Sequence, residues 1–112
     1  MKKITLPLLA AAVTMLLCGA ARSAGVPEAW SKNCASCHGP DGTGHTKAGR
    51  MAQVKDMSKA DYQQSFTDEQ AAKQIKEGYK DSSGKERMKA FGDKLSDDEV
   101  KALVAYVRSL SK

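Results

Sequence analysis

At 112 residues the chain has room for one domain. Its 18 basic and 13 acidic residues give a net charge of +5, but removal of residues 1–23 would take Lys2, Lys3 and Arg22 and no acid, leaving 15 against 13, or +2. Mixed charge without a dense basic run, together with only 5% aromatic residues, argues against nucleic-acid binding.

The N-terminus reads as a secretory signal. Lys2 and Lys3 precede an apolar run from Leu6 to Leu17 that is short for a membrane span, and small residues follow from Gly19 to Ala24. Cleavage after Ser23 puts Ala21 and Ser23 where small residues are needed, so the expected organisation is a signal peptide at 1–23 and one exported, soluble domain at 24–112. A lipid-modified Cys18 is the alternative, but Leu16 and Leu17 stand where small residues belong. The mature domain has no transmembrane span and keeps two cysteines, Cys34 and Cys37, in an oxidising compartment such as the periplasm. Its few aromatics make a thin core, which a large apolar prosthetic group would help to fill.

Val26 and Pro27 open a helix over Glu28–Asn33 that leads straight into Cys34. The string GPDGTGHTKAG from 39 to 49 predicts a loop, and residues 50–66 predict little beyond a short helical turn near Ser58 to Gln64. A second helix starts at Thr67, where Gln70 completes a capping box, and stops at Gly78. From Tyr79 to Asp93 the absence of an apolar stripe predicts an exposed or ligand-facing loop. The last helix follows a Ser96–Glu99 capping box, with Val100, Leu103, Val104, Val107 and Leu110 at helical spacing.

Cys34-Ala35-Ser36-Cys37-His38 carries the chemistry. Side chains three and four apart on a helical turn share a face, so two thiols and one imidazole can meet a porphyrin edge: the thiols form thioethers with its vinyl groups and the imidazole reaches the iron. A dithiol redox site would call for a thioredoxin-like alternation of strands and helices, which is absent. A zinc site would have only Cys34, Cys37, His38 and His45 to draw on, two of them adjacent. For the sixth position on iron the candidates are His45, Met51, Met57 and Met88. His45 follows His38 too closely to wrap around the macrocycle, and Met51 and Met57 read as core filling. Met88 lies in the glycine-containing loop ahead of the last helix, far enough along the chain to approach from the other side.

CASCHGPDGTG, TDEQAAKQIKEG and RMKAFGDKLSDDEVKALVAYVRSL resemble the successive motifs of the class I cytochromes c, across nearly all of 24–112. The resemblance implies an all-α fold in which N- and C-terminal helices cross and a third helix completes the enclosure of one covalent haem c. It implies thioethers at Cys34 and Cys37, His38 as proximal and Met88 as distal ligand, and Trp30 and Tyr106 at the helix crossing. Two positions depart from the pattern. Lys89 follows the methionine where many relatives have proline, which predicts a looser loop, and only Pro40 stands near enough to supply the carbonyl that often fixes the proximal imidazole.

The resulting expectation is a monomeric, non-enzymatic single-haem electron carrier that serves a reductase and an oxidase or reaction centre, at a potential above that of a two-histidine haem. Lys47, Lys85 and Lys89 are candidates for steering acidic partners. The alternative is a haem module that binds a gas or peroxide when Met88 leaves the iron.

Overall fold

The computed structural model describes residues 25–112. The expected signal peptide, its cleavage site and Cys18 lie outside them. Pro27 stands just ahead of α1 (Glu28–Asn33), its φ of −57° already suited to a helix entry and its carbonyl accepting from Trp30 N at 3.0 Å. Cys34 joins α1 to α2 (Ala35–His38), and the His38 amide donates to its carbonyl at 2.9 Å. The motif therefore continues the helical path, and Gly39, at φ +81°, ends it.

Four more helices follow: α3 (Lys47–Ala52), α4 (Ala60–Gln63), α5 (Asp68–Glu77) and α6 (Asp97–Ser109). Both expected capping boxes form. Thr67 Oγ1 accepts from Gln70 N at 3.1 Å while Gln70 Oε1 accepts from Thr67 N at 2.8 Å, and Ser96 and Glu99 do the same at 3.2 and 3.1 Å. The apolar stripe of α6 faces inward: Val100, Leu103, Val104 and Val107 are buried with Trp30, Cys34, Ile75 and Phe91. α1 and α5 pack against α6, so the two end helices meet as expected, with Trp30 edge-on to Tyr106 at 5.0 Å between ring centroids.

Arg108 fastens the outer side of this arrangement. Its Nε pairs with Asp68 Oδ1 at 2.7 Å, its Nη2 donates to Phe66 O at 2.8 Å, its Nη1 donates to the Gln63 carbonyl, and the guanidinium lies over the Phe66 ring. The buried Gln63 amide donates onward to Met57 O and Val107 O at 2.7 and 2.8 Å. Polar bonds thus close the α4–α5 corner where apolar side chains are few.

Two segments differ from the sequence expectation. Residues 47–52 form α3, which starts inside the expected loop at 39–49 and runs into the stretch 50–66 where little was expected, because Thr46 Oγ1 accepts from Gly49 N at 2.8 Å and donates to Cys37 O at 2.7 Å. That cap is stabilised by a distant partner. Within the expected loop at 79–93, β1 (Tyr79–Lys80) and β2 (Glu86–Met88) pair antiparallel. The hairpin base requires Gly78: at φ +76° a Cβ there would lie 2.6 Å from Met88 O.

Candidate functional site

Sequence position alone puts Cys34, Cys37 and His38 together; the fold adds Met88. All four line one cavity of about 390 Å³, and Cys34, His38 and Met88 also line an adjoining one of about 430 Å³ that runs beneath α5. Shared walls include Val54 and Arg87. Each volume is within the range of a ligand site.

Both thiols are free, so the cysteines are not joined to each other. Burial, with the neighbouring Cys37, pushes the Cys34 thiol up to about 11, the reverse of the lowered value a dithiol redox centre uses. Among the described residues no three His, Cys, Asp or Glu side chains converge as a metal cluster, and His45 is exposed and lines neither cavity. A zinc cluster thus finds no set of ligands among the described residues, and the raised Cys34 thiol does not favour a dithiol redox centre.

His38 packs with its ring centroid 5.8 Å from that of Trp30, and burial pushes its pKa down, which favours the neutral imidazole that a metal requires. Its Nδ1 is buried and has no hydrogen-bond partner among the described residues. Pro40, the proline nearest in sequence, does not serve it, since Pro40 O instead accepts from Tyr106 Oη at 3.0 Å. The carbonyl before it, Gly39 O, accepts from Trp30 Nε1 at 3.1 Å. The backbone beyond the histidine is thus gripped from α1 and α6, the two helices that cross.

Met88 ends β2, half-buried, and Gln74 Nε2 lies 3.8 Å from its sulfur. Of the other methionines, Met57 packs partly on the core and lines the larger cavity, whereas Met51, expected as core filling, is 70% exposed. The end of the short α3 turns Met51 outward, and its carbonyl, not its sulfur, is what the structure uses. Among the three lysines singled out in the sequence, Lys89 lines the smaller cavity, joined by Lys32 and Lys94, while Lys47 and Lys85 line neither. Gln74, Asp81 and Arg87 escaped the sequence reading, because their partners lie across turns or on other elements.

The donor set fits a c-type haem: two free thiols, a neutral-leaning imidazole and a thioether around a shared cavity. A family model described as Cytochrome c matches residues 24–111. The chain belongs to the cytochrome c family. In the solved structures it is similar to the KustC0563 c-type cytochrome, at 36% identity and a TM-score of 0.66, over 74% of this chain and 93% of that one. It is similar also to a tyrosine-to-phenylalanine mutant of Kustc0563, at 35% identity and a TM-score of 0.63, over 73% of this chain and 93% of that one. No curated protein matches the chain. Membership in the cytochrome c family implies a covalent haem c and a role of the electron-carrier kind. Among the described residues no helix is long and apolar enough to cross a membrane.

Proposed function

We propose that this cytochrome c is an exported, monomeric single-haem carrier that moves electrons between redox proteins outside the cytoplasm, its leader removed near residue 23. Cys34 and Cys37 would hold the haem as thioethers, and His38 and Met88 would be its axial ligands. The observation that carries this reading is the cavity lined by all four side chains. Haem c, when bound, supplies a one-electron couple at its iron.

The chain's own residues fit that use by changing little. His38 is packed by Trp30, and the backbone beyond it is held through Gly39 and Pro40. Gln74 Nε2 lies within reach of the Met88 sulfur, Phe91 lines the smaller cavity, and Ile75, Leu103 and Val107 give the larger one an apolar side. A thioether ligand in an apolar pocket favours the reduced state, so the potential should exceed that of a two-histidine haem. Lys32, Lys89 and Lys94 surround the smaller cavity and give acidic partners a salt-sensitive approach.

Lys89 in place of proline motivates a second reading, a gas- or peroxide-binding module with a detached Met88. Optical spectroscopy decides between them. The carrier shows a red absorption band from sulfur on ferric iron, lost in Met88→Ala and kept in Met51→Ala and Met57→Ala; a high-spin ferric spectrum at neutral pH would sink the carrier. Colour that stays with the protein through acid–acetone extraction tests the covalent attachment.

A further inference from the structure

The segment bearing Met88 lacks a proline to stiffen it, yet it is fastened on both sides. Downstream, Phe91 N donates to Ile75 O at 2.9 Å and Gly92 N to Lys76 O at 3.1 Å, so the chain re-anchors at once on the end of α5. Upstream the fastening is Asp81. Its Oδ1 accepts from Ser83 N at 2.9 Å, Ser83 Oγ at 2.5 Å and Lys85 N at 3.1 Å, and its Oδ2 accepts from Arg87 Nε at 2.8 Å.

Those bonds are sufficient to close a hairpin, but Arg87 does something more. Its Nη1 donates to Met51 O at 3.2 Å, across 36 residues of sequence, at the end of α3. α3 packs on α2, the helix that contains His38, and the Arg87 side chain lines both cavities. The Asp81–Arg87 pair is also the least exposed ion pair among the described residues, with both side chains 21% exposed, where Asp97 and Asp68 in the pairs with Lys76 and Arg108 are 80% and 64%. Its bonds are correspondingly less open to competition from water.

We propose that Asp81 and Arg87 are positioning residues that set how long Met88 stays on the iron, by tying the methionine's strand to the helix packed on the histidine's helix. This clasp fastens a segment in which Lys89 follows the methionine. It rests on the assignment of His38 and Met88 as axial ligands, and it acts without touching the iron.

The test is ligand exchange in the ferric holoprotein. Imidazole is mixed in excess, and loss of the red sulfur band is followed in time. Arg87→Gln and Asp81→Asn should retain the band before mixing and exchange about tenfold faster than the parent or more, as expected for losing a charge-assisted bond from the closed state. Arg87→Lys, which keeps the charge but cannot hold Asp81 and Met51 together, should also be faster, and it decides the matter if either other variant fails to fold. Asp97→Asn, which removes the exposed pair with Lys76, should stay within about twofold of the parent. Parent-like exchange in the Arg87 variants overturns the proposal, as does an equal acceleration in Asp97→Asn. Met88→Ala guards the premise: a sulfur band that survives it refutes the axial assignment, whereas loss of the band there with unchanged Arg87 variants refutes the clasp alone.

Discussion

The two halves of the site are built differently. The histidine side, Trp30 to Pro40, is contiguous sequence on a nearly continuous helical path, and the end helices grip it through Trp30 and Tyr106. The methionine side is a short strand pairing followed by a re-anchored loop, and its order comes from Gly78, Asp81, Arg87 and the end of α5. The first belongs to the hydrophobic core, while the second leans on polar bonds, the Asp81–Arg87 pair among them partly buried. Damage to the histidine side should therefore be felt in global stability and, on the ligation proposed above, damage to the methionine side in iron ligation.

The sharpest way to break that contrast is Trp30→Ala. Trp30 is 2% exposed and also bonds Gly39 O, so its loss should cost about 3–5 kcal/mol in denaturant unfolding while folded molecules keep the sulfur band. A large loss of the band with little change in stability would reverse the assignment of roles. Gly78→Ala comes next on the other side: a left-handed backbone and the nearby Met88 carbonyl should cost about 1–3 kcal/mol, and the band should shift or weaken. Tyr106→Phe removes only the hydroxyl donated to Pro40 O and should lower stability by about 1 kcal/mol, measured by thermal melting, with the band unchanged.

The smallest effect is a pH dependence. Hydrogen bonds from Ser83 and then Arg87 hold the Asp81 carboxyl well below the ordinary aspartate range. An unfolded aspartate titrates at about 3.9, so the stabilisation from Asp81 is complete above that value and fades as pH falls through its lower folded pKa. Asp81→Asn should flatten the acid limb of a stability-versus-pH curve without altering the slope above neutral pH. An unchanged acid limb would mean the carboxylate is as well served in the unfolded chain.

The same contrast explains how much the sequence revealed. α5 and α6 were readable because their capping boxes and apolar spacing are local signals that survive in the fold. That Cys34, Cys37 and His38 lie together was readable for the same reason, and that Met88 can share their cavity from its place in a loop of suitable reach. α3 was hidden because its cap, Thr46, also donates its hydroxyl proton to Cys37 O, a contact that no local pattern encodes. The hairpin was hidden because Asp81-Ser82-Ser83-Gly84 reads as a generic loop until Arg87 is known to fold back on Asp81. Gln74 shows the same limit: on a helix of good propensity it looks like a solvated side chain, and only the third dimension brings it to the Met88 sulfur.

Arg108 has a bearing on how the chain comes together. Close to the C-terminus, it reaches back to Gln63, Phe66 and Asp68, and Tyr106 spans 66 residues to Pro40. None of these bonds can form until α6 has packed back on the earlier residues. Closure of the α4–α5 corner and of the turn beyond His38 thus waits on the docking of α6, so these contacts are reached by long-range loop closure and not by local structure.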